Sequence, residues 1–361
     1  MNIPPMIKSY IDRASNLGSR EWGYLTSDPA RPVLEHGLSI LGGTLAGLVF
    51  WSLFQTVPVI PEYQYTIEVK APITQKQDHA VTPQAAKKNT DENTRIPDPA
   101  LIENTHPYGD LPKIDKAHAR RPFDVYRMPF NTQNLSKPLV SFVMMDVGLS
   151  SKQSLEVLGS LQPGTTVMLS SSGHKLSEWA QKIRTKKAEV WLELAAEPED
   201  YPQSDAGANA LLTSASIEQN QTSILYQLGK ATGYVGLISP YDSPYFQTGA
   251  DADFLAGSIF ERGLGLVIHT SHDIPALKTE STEKDIPFYS SPMITLLPEY
   301  DTKIADKVIS DRLSEKGYAV VFVPPSTTSI KLYKDLSAML INRGIALSPL
   351  SAIAIHARGG K

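Results

Sequence analysis

The chain has 361 residues, a formal net charge of −4, and a composition of 41% hydrophobic and 20% charged residues. This length accommodates one large domain or two small ones with extensions. The nearly balanced charge, without basic stretches interleaved with aromatic residues, excludes nucleic acid as an expected partner. Because the chain has no cysteine, disulfide bonds, thiolate metal sites and a cysteine nucleophile are also excluded.

Residues 37–60 form an uncharged apolar stretch long enough for a helix that crosses the ~30 Å hydrocarbon core of a membrane. A signal peptide fits less well, because a long segment precedes the stretch and no small-residue cleavage site follows it. Lysine and arginine are more frequent before the stretch than after it, which predicts that residues 1–36 are cytoplasmic. We therefore expect a single-pass inner-membrane protein with a periplasmic C-terminal part. Gly43 and Gly47 form a GxxxG motif through which a homodimer could pack.

Two segments of different character follow the apolar stretch. Residues 61–99 are rich in Pro, Lys, Asp, Asn and Gln, with little apolar periodicity, and are predicted to form a disordered linker. In residues 100–137 Leu, Ile, Tyr, Phe and Pro recur at intervals, which is typical of an arm that packs on a folded domain. The sequence leaves open whether this arm covers a binding cleft.

Residues 138–355 alternate β-rich segments with helical patterns in which apolar residues lie three and four positions apart. Strands are predicted at 138–145, 166–170, 188–194, 233–239, 265–270, 286–289, 319–323 and 345–348. Such alternation predicts parallel strands wrapped by helices, as a barrel or as an open doubly wound sheet. In both folds ligands bind at the carboxyl ends of the strands, and Asp146 lies at such an end.

Several stretches resemble the divergent polysaccharide deacetylase family of Gram-negative envelopes. They are VMMDVGLS (143–150), AEVWLELAAEPEDYPQSDAGANALLTSAS (188–216), GYVGLISPYDS (233–243), RGLGLVIHTS (262–271) and RGIALSPLSAI (343–353). The resemblance covers most of the chain and implies a distorted (β/α) barrel of about seven strands. It also implies the catalytic residues with which this chain can be compared. In the wider enzyme class one aspartate after the first strand is the base, and a second aspartate with two histidines holds a divalent metal that activates water.

This chain departs from that pattern at most of the polar positions. The base position falls on Met145, and only the metal-side aspartate, Asp146, is kept. The other family positions carry different residue types: Glu193, Pro240 and Val323 replace histidines, and His269 replaces an aspartate. Because methionine cannot accept a proton, we expect no catalytic residue and no cofactor. Asp146 is then expected to cap the following helix or to bind loop amides.

The predicted barrel mouth is rich in carboxylates. The residues expected to line its cleft are Asp146, Glu193, Glu197, Tyr241 and Asp242. One alternative is a metal-dependent carbohydrate deacetylase with a rebuilt site, whose catalytic candidates are Asp146, Asp242 and His269. In that case Asp146, His269 and His272 are the candidate ligands of zinc or another divalent metal. A second alternative is a glycan-binding module without chemistry.

The sequence thus favours a non-catalytic, deacetylase-like periplasmic domain that acts as a scaffold or regulator in the cell envelope. Its expected partners are the membrane, and peptidoglycan-processing proteins or the glycan itself. The link to peptidoglycan follows from the resemblance and not from any residue of this chain.

Overall fold

The structure is a computed structural model that describes residues 97–247 and 252–359, which belong to one folded unit. Several predicted features lie outside the described residues: the cytoplasmic segment 1–36, the transmembrane helix 37–60 with Gly43 and Gly47, and nearly all of the linker 61–99. Among the helices that are described, none combines the length and apolar character needed to cross a bilayer.

The centre of the domain is a curled sheet in which every neighbouring pair of strands is parallel. In chain order, the strands of the described residues, of which β3 to β11 form this sheet, are β1 (Ile102–Thr105), β2 (Gly109–Pro112), β3 (Leu139–Val147), β4 (Thr166–Leu169), β5 (Glu189–Glu193), β6 (Gly236–Ser239), β7 (Gly265–His269), β8 (Phe288–Ser291), β9 (Ile294–Thr295), β10 (Tyr318–Val323) and β11 (Ala346–Leu347). The order across the sheet is β8-β7-β6-β5-β4-β3-β10-β9, and β11 pairs with the first residues of β3. β1 and β2 form a separate antiparallel hairpin.

Most of the helices connect the parallel strands and cover the outside of the sheet, whereas the first and the last pack against its inner face. They are α1 (Pro122–Tyr126), α2 (Ser151–Ser160), α3 (Leu176–Thr185), α4 (Ile217–Leu228), α5 (Pro244–Gln247), α6 (Ala252–Ile259), α7 (Pro275–Glu283), α8 (Thr302–Lys316), α9 (Thr327–Asn342) and α10 (Leu350–Gly359). Capping residues determine where several of these helices begin or end. A capping box of Ser216 and Gln219 starts α4, and the side chain of Asp301 caps α8, which ends at the left-handed Gly317.

Alternate residues of β3 belong to two hydrophobic clusters, as expected for a strand that is buried on both faces. Phe142 and Met144 pack in the outer cluster between sheet and helices, whereas Val143 and Met145 pack in the inner cluster. Other strands add to the inner cluster: Met168, Trp191, Ile238, Val267 and Phe322. The inside of the curled sheet is therefore a packed core and not a pore.

The two end strands of the sheet are neighbours in sequence, because only Pro292 and Met293 separate β8 from β9. Three steps of at most ~3.8 Å join them, so the ends of the sheet must approach each other. The fold is accordingly a curled half-barrel of eight parallel strands. The predicted deacetylase-like barrel is confirmed, but the path of paired strands holds eight strands and not the about seven that the resemblance implied, and β11 lies beside β3 as a further parallel strand.

The segment before the barrel packs at the amino ends of the strands. Leu101, Phe123 and Tyr126 are buried in the inner cluster, and the ring of Phe123 lies 6.4 Å from that of Trp191. The backbone nitrogen of Phe123 donates to the carbonyl of Gly263, just before β7 begins. These contacts place the described part of the arm at the end of the barrel opposite to the carboxyl ends.

Glu189, the first residue of β5, is fully buried and joins this arm to the barrel and to α10. Its carboxylate accepts hydrogen bonds from the backbone nitrogens of Met128 and Ser351, from the Ser351 hydroxyl and from Nε1 of Trp191. Burial raises the pKa of Glu189, and the four donors oppose this rise. The amino end of the barrel is thus closed by a hydrogen-bonded acid.

Candidate functional site

A cleft of about 770 Å³ opens at the carboxyl ends of the strands, where parallel α/β folds bind ligands. Its wall is built from the ends of consecutive strands and the loops after them. The polar residues that line it include Asp146 from β3, Ser170–Ser172 after β4, Glu193 from β5, Tyr241 and Asp242 after β6, His269 from β7 and Thr295 from β9. No described residue of the arm (97–137) lines the cleft.

Asp146 sits where the pairing of β3 with β4 shifts register, between Met144 and Val147. Its φ is 57°, a left-handed conformation that is uncommon for a residue other than glycine. Burial, and then the charge of Glu193, raise the pKa of Asp146 to about 6. Among the described residues the carboxylate makes no hydrogen bond, and Ser154 instead binds the amide of Gly148. The expected cap or loop bond of Asp146 is therefore not made.

Glu193 is held in place by the loop after β4. One of its carboxylate oxygens accepts hydrogen bonds from the Ser170 hydroxyl (3.1 Å), the Ser171 amide (2.8 Å) and the Ser171 hydroxyl (3.0 Å). This residue occupies a position that the family resemblance assigns to a histidine. Here it fixes a loop and gives the cleft a negative charge.

Asp242 binds the next loop in the same way. Its carboxylate accepts bonds from the Thr270 hydroxyl (3.1 Å) and from the amide (3.2 Å) and hydroxyl (3.0 Å) of Ser271. Although partial burial opposes it, these bonds lower the pKa of Asp242. Nδ1 of His272 lies 3.9 Å from the same carboxylate, but His272 is half exposed and is not part of the cleft wall.

His269 has one ring nitrogen engaged by the backbone. Its Nδ1 lies 3.2 Å from the amide nitrogen of Met293, and an amide can only donate, so Nδ1 accepts. The neutral ring therefore carries its hydrogen on Nε2. Burial is the main cause that lowers the pKa of His269, which keeps the ring neutral at pH 7.

Of the two remaining predicted cleft residues, Tyr241 lines the cleft and Glu197 does not. Tyr241 is 57% exposed at the rim, and desolvation of its hydroxyl together with the charges of Asp146 and Glu193 raises its pKa to about 12. The carboxylate of Glu197 instead accepts bonds from the amide and hydroxyl of Thr213, and Glu197 is absent from the described cleft wall.

A divalent metal, which the deacetylase fold implies, does not fit the residues that are present. A histidine ligand normally coordinates through one nitrogen and donates a hydrogen bond through the other. In His269 the second nitrogen accepts, so Nε2 has no lone pair to offer. Met145 is only 3% exposed within the inner cluster, and no cluster of three or more potential metal ligands occurs in 97–247 or 252–359.

Part of the cleft wall was not predicted from the sequence. Ser170–Ser172 follow β4, and their position at a strand end was the signal that could have identified them. Leu149 after β3 could have been found by the same rule. Glu199, Asp200 and Asp205 belong to the long segment between β5 and α4, whose course no periodicity predicts.

Comparison with known proteins agrees with this fold. Residues 142–354 match the family described as divergent polysaccharide deacetylase. The crystal structure of an uncharacterized protein from Agrobacterium tumefaciens is similar, with a TM-score of 0.59 and 21% sequence identity over 67% of this chain and 98% of that chain. This likeness shows the fold alone. No match was found among curated proteins. Because the family match spans more than half of the 361 residues, this chain belongs to the divergent polysaccharide deacetylase family.

Proposed function

We propose that this chain is a non-catalytic member of its family whose cleft binds a glycan at the cell envelope. The observation that carries the proposal is the hydrogen bond from the Met293 amide to Nδ1 of His269. It leaves the one histidine of the described cleft wall without a free lone pair for a metal. The base position is also lost, because Met145 is packed into the inner core.

The shape and surface of the cleft support glycan binding. A volume of about 770 Å³ is in the range of small-ligand pockets, and serine hydroxyls and carboxylates supply hydrogen-bond partners for sugar hydroxyls. The rings of Tyr side chains offer an apolar face with a polar end, and Tyr241 is 57% exposed at the rim. A pyranose could stack there while its hydroxyl groups reach the wall.

The cellular setting follows from the N-terminal part of the sequence. An apolar segment at 37–60 and a polar linker at 61–99 would hold the barrel in the periplasm on a tether of roughly 30–40 Å. A glycan-binding domain held at that distance suits a scaffold or regulator of peptidoglycan-processing proteins. A homodimer through Gly43 and Gly47 would double the number of clefts.

Two measurements on the full-length chain test this function. Co-sedimentation with an insoluble amino-sugar polysaccharide, offered both fully N-acetylated and partly de-N-acetylated, should retain the protein on at least one form, and Tyr241→Ala should release it. Tyr226→Ala is a matched control, because Tyr226 is 37% exposed but packs against Tyr108 away from the cleft. Equal retention of the Tyr241→Ala and unsubstituted chains would contradict binding through the cleft. Acetate release from N-acetylglucosamine oligomers, with zinc or manganese added, should not exceed the buffer background.

The alternative is a carbohydrate deacetylase with a rebuilt site, and one observation favours it. Within 97–247 and 252–359 the carboxyl group of Asp146 makes no hydrogen bond. The residue has a left-handed backbone conformation and a pKa of about 6, which suits a general base. Under this alternative acetate is released and Asp146→Asn abolishes the release. Such a result would replace the non-catalytic proposal.

A further inference from the structure

The wall of the cleft carries charge of one sign. Its described residues include six carboxylates and no lysine or arginine: Asp146, Glu193, Glu199, Asp200, Asp205 and Asp242. His269 does not offset them, because its ring is neutral while Nδ1 accepts the Met293 amide. A cleft with walls of one sign concentrates field lines and favours ligands of the opposite sign.

The partners of these carboxylates within the protein are mostly neutral. Glu193 and Asp242 are bonded to amides and hydroxyls, and Nδ1 of His272 lies 3.9 Å from the Asp242 carboxylate. Asp146 is half-buried and makes no hydrogen bond among the described residues. A half-buried carboxylate without a partner is costly, and a cationic group of a ligand would offset that cost.

Two features other than these acids mark the cleft as a binding site. One is the cavity of about 770 Å³ at the strand ends, and the other is a pair of exposed side chains in its wall, Leu149 (54%) and Tyr241 (57%). A ligand that fills the cleft must therefore combine an apolar face for these side chains with positive charge for the wall.

We propose that the ligand is a glycan with protonated amino groups, that is, a de-N-acetylated glycan and not an N-acetylated or anionic one. This inference rests on the proposed glycan-binding function and names the class of glycan. A 2-amino sugar presents a C–H face to Tyr241 and an ammonium group to the carboxylates. Hydrolysis of the amide of a 2-acetamido sugar releases acetate and produces such an amine. An upstream deacetylation reaction must then supply the ligand.

Competing ligands lack one of these two features. An anionic glycan is repelled by the wall, and an N-acetylated glycan has no charge with which to attract it. A basic peptide has the charge but not the rigid sugar face, and the hydroxyl-rich wall formed by Ser170–Ser172 favours a polyhydroxylated ligand. The observations therefore favour the amino glycan over the peptide.

The test is a calorimetric titration of the full-length chain at pH 7 and low salt. The detergent should be uncharged and free of sugar, so that it neither screens nor occupies the cleft. Four probes are compared: a β-1,4-linked glucosamine tetramer, the matching N-acetylglucosamine tetramer, a galacturonic acid tetramer and tetralysine. We expect the glucosamine tetramer to bind at least about tenfold more tightly than each of the others, and to weaken at about 1 M salt.

Variants localise the binding. Asp146→Asn and Glu199→Gln should each weaken binding of the glucosamine tetramer by roughly two- to fivefold, as expected for loss of a partly screened charge. Asp311→Asn is the matched control, because Asp311 is an exposed carboxylate on α8 that pairs with Lys307 outside the cleft. This control should leave the affinity unchanged.

Each contrary result has a distinct meaning. Equal or tighter binding of the N-acetylated tetramer would overturn the amino-glycan inference and leave the glycan-binding function standing. Equal binding of tetralysine would show that the cleft selects charge alone, as for a basic peptide, and would overturn the inference as well. Failure of every sugar to bind would overturn both the inference and the proposed function.

Discussion

Nδ1 of His269 accepts the amide hydrogen of Met293 across 3.2 Å, and so joins the end of β7 to the short connection between β8 and β9. This contact lies where the two ends of the curled sheet approach each other. His269 therefore ties the end of β7 to this connection, a role that is incompatible with binding a metal through Nε2 in this geometry.

Removing this side chain should weaken the fold. In His269→Ala the Met293 amide loses its partner in a buried position, so the free energy of unfolding should fall by about 1–3 kcal/mol. Urea denaturation measures this change. His272→Ala is the control, because its side chain is 51% exposed, and it should change stability by less than about 0.5 kcal/mol. Equal effects of the two substitutions would contradict the structural role of His269.

Asp146 should make stability depend on pH. Its pKa of about 6 in the folded chain is above the ordinary value near 3.8, so folding favours the protonated form. Stability is then greatest at low pH and falls as pH rises from about 4 to about 6, by up to about 3 kcal/mol. Asp146→Asn lacks this loss and should be more stable than the unsubstituted chain at pH 7.5.

The quantity to measure is the difference in the free energy of unfolding between Asp146→Asn and the unsubstituted protein. Denaturant unfolding at pH 4 and at pH 7.5 should give a stability gap that is small at the lower pH and large at the higher one. The two proteins differ only at residue 146, so the change in the gap between the two pH values reports the titration of Asp146 together with its electrostatic coupling to Glu193. A gap of the same size at both values of pH would show that Asp146 does not titrate in this range.

Substitution of Glu189, at the amino ends of the strands, should strongly reduce the stability of the fold. In Glu189→Ala the amides of Met128 and Ser351 and Nε1 of Trp191 lose their acceptor inside the core, so we expect a loss of about 3–5 kcal/mol. Glu156→Ala, an exposed substitution on α2, should be nearly neutral. A loss below about 0.5 kcal/mol in Glu189→Ala would mean that the arm and α10 are held without this network.

The barrel could be predicted from sequence because its elements have strong local signals. All eight predicted strands match strands of the structure, from β3 (predicted at 138–145) to β11 (predicted at 345–348). β9 was missed because two residues carry no periodicity. The hairpin of β1 and β2 was missed because it lies among prolines and polar residues, and its pairing depends on packing at the barrel.

The site was harder to predict, because its roles depend on contacts between distant residues. Strand ends directed attention to Asp146, Glu193 and His269, and all three line the cleft. The sequence could not show that the Met293 amide occupies His269, since that bond depends on the curvature of the sheet. Nor could it show that Glu197 is bonded to Thr213 instead of lining the cleft.

The measurement that decides between the two functions is the metal content of the full-length chain. The protein should be purified without chelator, incubated with zinc or manganese, freed of excess metal by buffer exchange, and analysed by inductively coupled plasma mass spectrometry. We predict no metal above the content of the Asp146→Asn/His269→Ala double variant. Near-stoichiometric metal that disappears in His269→Ala would contradict a non-catalytic cleft and point to a rebuilt deacetylase site.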